Sequence, residues 1–230
     1  DDIPLRVALA AADLTLASCL GGKAAFLGEL LRAGAPVPQG FAMSTRGCRD
    51  FLDGEVGDAL RRLLRPLEAG AGTVATLATV AEEMRGLILA APLPGPVADA
   101  LLQGWRKLGQ VPVSVRSSAL VEDNPEHSFA GQFTSVLNVR DESALLEAYK
   151  AVIASNFGPR PLSYRLQAGL PLTDFAMAVI VQGMVDASAA GVLFTVQPAA
   201  PDNGRMLLTA VRGLGTQAVG GSAPADIYEP

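Results

Sequence analysis

The sequence predicts a mixed helix-and-strand fold, α+β or α/β, with helices gathered in the first half and strands from residue 111 onward. Three observations carry this. Half of the 230 residues are hydrophobic and only 18% are charged, enough to bury a sizeable core in one large or two modest domains. Apolar positions recur at helical spacing through the first half, whereas later segments alternate or run on as β-branched stretches. Gly and Pro sit between these segments as turns, with no internal repeat and no low-complexity linker.

The elements follow in order. Residues 24–33 place Leu27, Leu30 and Leu31 on one helical face and stop at Gly34, with Pro36 and Pro38 preventing continuation. A strand-like GFAMST comes next. Ser44 or Thr45 can cap a helix over residues 46–52, and residues 55–65 continue helical. After Thr73, Leu77, Val80, Ala81, Met84, Leu87 and Ile88 form an amphipathic stripe that reads as core. Pro94 and Pro96 open another helix, with Val97, Leu101, Trp105 and Leu108 on one stripe and Gly109 closing it. Strands are predicted over 111–117, 133–139, 175–185, 191–197 and 205–211. Between the second and third lie a helix over 142–156, capped by Asp141, and a shorter one over 162–168.

Charge and cysteine usage exclude several classes of function. A net charge of −5 and a pI near 4.9, without any Lys/Arg cluster, argue against nucleic acid or anionic lipid as partner. Two cysteines, Cys19 and Cys48, are too few for a disulfide framework, and with a single histidine they cannot build a typical zinc site. A cytoplasmic, zinc-free protein with no membrane partner is expected. Residues 16–19, Leu-Ala-Ser-Cys, imitate a lipoprotein cleavage box. The preceding stretch opens on Asp1-Asp2 and carries Asp13, which does not suit a secretion leader.

The stretch VSVRSSALVEDNPEHSFAGQ, residues 113–132, concentrates the polar chemistry. Val113 and Val115 alternate with Ser114 and Arg116 as a short strand, and an arginine there either meets an anion or leaves the core. Its anion could be a phosphate or simply Glu122 or Asp123. The loop closes on Ala130-Gly131-Gln132 before a strand bearing Ser135, where backbone amides and a hydroxyl can contact phosphate. Earlier, Gly21-Gly22-Lys23 precede a helix, an arrangement that suits an anion, although these residues taken alone read more readily as a plain glycine turn with an exposed lysine. His127 reads as a solvated loop residue. Ser117 or Ser118 with His127 makes a poor hydrolase, because the nucleophile elbow is absent. Residues 213–218, GLGTQA, match a dinucleotide fingerprint, but Gly220, Gly221 and Pro224 interrupt the helix that motif requires.

Four blocks, in order, carry a resemblance: LGGKAAFLGELLRAGAPVPQGFAMST, VRSSALVEDNPEHSFAGQFTSVLNV, AVIVQGMVDASAAGVLFTVQP and GLGTQAVGGSAPADIY. Together they span residues 20–228 and resemble the N-terminal ATP-binding region shared by phosphoenolpyruvate synthase, pyruvate phosphate dikinase and rifampin phosphotransferase. The resemblance implies an α+β, ATP-grasp-like fold: a first subdomain over 1–174, then a hinge strand and the start of a second, incomplete subdomain over 175–230. It implies that Lys23 and Arg116 are the cationic phosphate contacts of an ATP-dependent phosphotransferase. Gly131 would be the phosphate-loop glycine, Ser135 would stand where relatives have threonine, and Gln182 and Met184 would lie at the adenine hinge. ATP and Mg2+ are the implied cofactors, with the magnesium ligands and a phosphohistidine domain expected beyond Pro230. Through that histidine the phosphoryl group would pass to pyruvate or another acceptor, so the chain alone is expected to be inactive. His127 does not match the phosphorylated histidine. Arg212 and Thr216 depart from the family's Trp-Gly-Leu-Gly-Glu, which keeps open the alternative of a non-catalytic nucleotide-binding or interaction module.

Overall fold

The computed structural model describes residues 3–69, 74–119, 133–197, 204–216 and 226–228. A short strand, β1 (Arg6–Ala8), and two single-turn 3-10 segments, Leu9–Ala11 and Leu14–Leu16, lead into α1 (Ala17–Arg32). After β2 (Gly40–Met43) come α2 (Thr45–Leu52), α3 (Glu55–Glu68), α4 (Val74–Ala90) and α5 (Gly95–Lys107). β3 (Val113–Ala119) and β4 (Ser135–Val139) precede α6 (Glu142–Ser155), α7 (Pro159–Gln167) and β5 (Met177–Gly183). Three further strands are β6 (Ala189–Phe194), β7 (Leu207–Arg212) and β8 (Asp226–Tyr228).

Local chemistry explains most of these boundaries. Asp141 caps α6 as expected, its Oδ1 accepting the Ala144 N–H at 2.8 Å. Pro96 sits in the first turn of α5, where its missing N–H costs nothing, and Gly109 follows the helix at φ +80°. At α2 the expected cap is absent. Ser44 occupies the cap position, but its hydroxyl donates to Pro4 O at 2.7 Å, tying the helix start to the chain ahead of β1. β1 itself gave no sequence signal, because three residues inside an apolar run show no period.

Two compact units make up the chain, Asp1–Met184 and Val185–Pro230. The sequence reading set its boundary between 174 and 175, ahead of the predicted hinge strand. The units separate later because β5 is the central strand of the first unit's sheet. Its order is β1-β2-β5-β3-β4, antiparallel throughout. Because β5 is covered on both faces, its sequence reads Met-Ala-Val-Ile-Val without alternation. One face, bearing Phe41, Met43, Val115, Val179 and Val181, joins the main core beneath α2 to α7. The opposite face, with Ala42 and Ile180, is covered by Leu9, Leu20 and Ala24 of the N-terminal segment and α1.

By length and composition, Leu14–Arg32 could cross a membrane. Here that stretch carries Lys23, Glu29 and Arg32, and it buries Leu20, Ala24, Ala25 and Gly28 inside the first unit. Gly28 is required at its position, since a Cβ would lie 2.1 Å from Ala12 O. Among the described residues, the second unit forms a three-stranded antiparallel sheet, β6-β7-β8. Gly213 follows β7 and donates its N–H to Ser188 O at 2.8 Å, while residues 217–225, where the fingerprint's helix would run, lie outside the described residues.

Cys48 is fully buried on α2 and donates its thiol to Phe175 O at 3.0 Å. Burial pushes that thiol from 9.0 up to about 12. A thiol held neutral in the folded protein but free to ionise in the unfolded chain contributes its full stability below pH 9.0, and loses it as pH rises toward 12. Between about pH 8 and about pH 11 the wild type is therefore expected to lose roughly 2 kcal/mol more than Cys48→Ala. Denaturant titrations at both pH values read this difference, and parallel losses would exclude Cys48 from the alkaline transition.

Candidate functional site

Arg116 sits on β3 opposite Ile180 of β5 on one side and Ser135 of β4 on the other. Directly opposed residues of antiparallel strands share a face, so Arg116, Ile180 and Ser135 all project from the side of the sheet that α1 covers. Two residues along, Gln182 pairs with Ser114 on that same face. Arg116 resolves the cost of an arginine in a central strand by leaving the core, and its side chain is exposed.

α1 does not run straight over this face. At Gly21 the backbone turns to φ 75°, ψ 158° and interrupts the helix. A Cβ there would lie 2.0 Å from Ser118 O on β3, so only glycine lets the two backbones meet. Past the break, the Ala24 N–H donates to Ser118 Oγ at 3.1 Å. The glycines before Lys23 thus do serve a close approach, and what approaches is β3. The Ala24 amide is also engaged and does not belong to an anion nest. Lys23, half-buried, lies between these two anchored positions.

The result is a cleft of about 290 Å³ in the first unit. Lys23, Phe26, Leu27 and Leu30 of α1 form one wall, and Arg116 of β3 with Ile180 and Gln182 of β5 form the other. Larger hollows exist, about 410 Å³ between α3 and α4 and about 540 Å³ beside β4. The first sets Arg62 beside Glu83, and in the second the Lys150 ammonium donates to Leu89 O and Ala91 O. The smaller cleft joins two cations to apolar walls and one amide, which suits an anion attached to a flat apolar group.

Of the residues singled out in the sequence, Lys23, Arg116 and Gln182 share this cleft, with Ser135 exposed on the strand beside Arg116. Met184 is half-buried two residues past Gln182 and does not line it. Gly131 lies outside the described residues, as do Glu122, Asp123 and His127. At the expected hinge, Gln182 donates its Nε2 to Pro38 O at 3.0 Å, leaving its Oε1 as an acceptor. The amides that follow are already paired, Gly183 N–H to Gln39 O and Met184 N–H to Pro112 O, each at 2.9 Å. These two amides are thus committed within the protein, and the Gln182 side-chain oxygen remains to accept from a ligand.

Sequence reading missed Ser118 as anything other than a hydrolase nucleophile. Its hydroxyl is fully buried and committed to α1. The missed signal was parity, since Ser118 stands two residues from Arg116 on one strand and so shares its face. Thiol chemistry fares no better: burial raises both Cys19 and Cys48 above the ordinary thiol range. Among the described residues no group of three His, Cys, Asp or Glu could hold a metal ion.

Comparison with known proteins identifies the family of the chain. Residues 17–229 match the family described as pyruvate phosphate dikinase, AMP/ATP-binding domain. The chain is 35% identical to a phosphoenolpyruvate synthase of Aeropyrum pernix, with 91% of the chain and 26% of that protein covered. Against a probable phosphoenolpyruvate synthase of Archaeoglobus fulgidus the identity is 38%, covering 91% of the chain and 28% of that protein. With the prodigiosin synthesizing transferase PigC of Serratia marcescens it is 35%, covering 91% and 22%. The chain thus spans about a quarter of the length of these relatives. A match running over nearly all of a chain whose α+β fold sets two cations beside one amide shows that it belongs to the pyruvate phosphate dikinase AMP/ATP-binding domain family.

Proposed function

We propose that this chain is the ATP-binding part of a dikinase-type phosphotransferase, with the triphosphate seated between Lys23 and Arg116. The observation that carries the reading is the cleft lined jointly by Lys23, Arg116 and Gln182, residues remote in sequence. Phosphoryl transfer depends on positioning and charge neutralisation more than on covalent help from protein groups. Two cations therefore suffice as this chain's share: Arg116 offers a planar fork to phosphate oxygens, and Lys23 a compact charge facing it across the cleft. Ser135 Oγ can donate to a phosphate beside Arg116, and Gln182 Oε1 can accept from an exocyclic amine.

In this reading the phosphoryl group passes to a histidine on another part of a longer protein, then to pyruvate or another acceptor. Relatives named for phosphoenolpyruvate and for prodigiosin share the domain, which supports an acceptor chosen elsewhere. No step is assigned to magnesium on these residues, because the described acids do not gather as a metal site. Thr216, standing where the family has an acid, favours a second reading in which nucleotide is bound without turnover. Titration calorimetry of the full-length protein with ATP and magnesium tests the first claim, with saturable heat expected and its absence refuting the reading. ATP-dependent AMP formation then separates the enzyme from the binding module.

A further inference from the structure

The break in α1 at Gly21 creates a helix start that cannot cap itself. Restarting a helix leaves orphan N–H groups, which a Ser, Thr, Asp or Asn at the cap normally satisfies. Here the residues before Lys23 are Leu20, Gly21 and Gly22, none of which carries a side-chain acceptor. The acceptor comes from a distant strand: Ser118 Oγ takes the Ala24 N–H at 3.1 Å, and Ser118 O meets the Gly21 backbone too closely for any Cβ. Lys23 is thus bracketed by two residues pinned to Ser118. Arg116, the other cation of the cleft, lies two residues along the same strand on the same face.

We infer that Ser118 is a positioning residue for nucleotide binding, one that locks Lys23 in place opposite Arg116 by capping the broken α1 from β3. This deepens the ATP reading and rests on it. Ser118 is fully buried and does not line the cleft, so any effect on ligand affinity passes through the residue it positions. A clamp that fixes the Lys23 backbone before nucleotide binds keeps the site ready, and without it affinity falls because ordering must accompany binding.

The test is a double-mutant cycle read by ATP calorimetry on the full-length protein. Ser118→Ala is expected to weaken ATP binding about tenfold, the scale of one lost hydrogen bond. In a Lys23→Ala background the same change is expected to cost less than about twofold, because the residue being positioned is gone. In an Arg116→Ala background its full factor should return. A purely structural role predicts the same factor in all three backgrounds, and that result overturns the inference, as does Ser118→Ala binding like wild type while Lys23→Ala binds weakly. Ser118→Cys fills nearly the same volume with a poor acceptor, and its loss should match in direction if Ser118→Ala fails to fold. Wild type giving no heat, or Lys23→Ala giving no loss, would instead strike the ATP reading and take this inference with it.

Discussion

Replacing Arg116 by alanine in the full-length protein is expected to lower ATP-dependent AMP formation by roughly 30- to 150-fold, and Lys23→Ala by a similar factor. A unit charge about 4 Å from a phosphate oxygen is worth ~4 kcal/mol at an effective dielectric of 20. Desolvation offsets part of that, leaving about 2–3 kcal/mol for each cation. Arg116 is exposed and Lys23 half-buried, so neither change opens a large cavity, and lost activity reports lost charge more than lost folding. Arg116→Lys keeps the charge but loses the fork, and should fall between wild type and alanine. Activity within about twofold of wild type in both alanine variants would remove this cleft from phosphate binding.

Gly21→Ala is expected to be the most damaging single-methyl change in the first unit. Its φ of 75° with ψ of 158° belongs to a region open in practice to glycine alone, a strain of about 1–3 kcal/mol for another residue. The added Cβ would also lie 2.0 Å from Ser118 O, and backbone cannot yield as a flexible side chain does. α1 would have to lift from β3, taking Lys23 with it. A loss of about 3–4 kcal/mol and a fall in Tm of about 6–15 °C follow for a domain of this size. Gly34 is the control, having φ +81° but nothing within 4 Å of where a Cβ would stand. Thermal denaturation should show Gly34→Ala losing only about 1 kcal/mol. Equal losses in both variants would mean that the approach to Ser118 is not what seats α1.

Most helices were legible because their signals are local. Asp141 capping α6, Pro96 opening α5 and the buried stripe of Leu77, Val80, Ala81, Met84 and Ile88, which the exposed Leu87 does not join, each lie within a few residues of what they determine. β3, β4 and β5 were also legible in outline, from β-branched runs bounded by turns. β1 and β8, three residues each, were not, because so short a segment becomes a strand only through its partner. Ser44 shows the same limit in reverse: it takes the cap position, but its hydroxyl is turned to Pro4 O and makes no cap bond.

The chemistry of the site divides in the same way. From residues alone one can read that Lys23 follows two glycines and that Arg116 stands out of place in an apolar strand. Family resemblance adds Gln182. All three were therefore candidates before any fold was known. Tertiary structure decided that they line one cleft, that Met184 does not join them, and that the Gly21 approach meets Ser118. Helix periodicity and capping act over a turn or two of chain, so a sequence displays them directly. Strand order, and the face that α1 covers, come from packing between segments far apart along the chain, which no short-range pattern encodes.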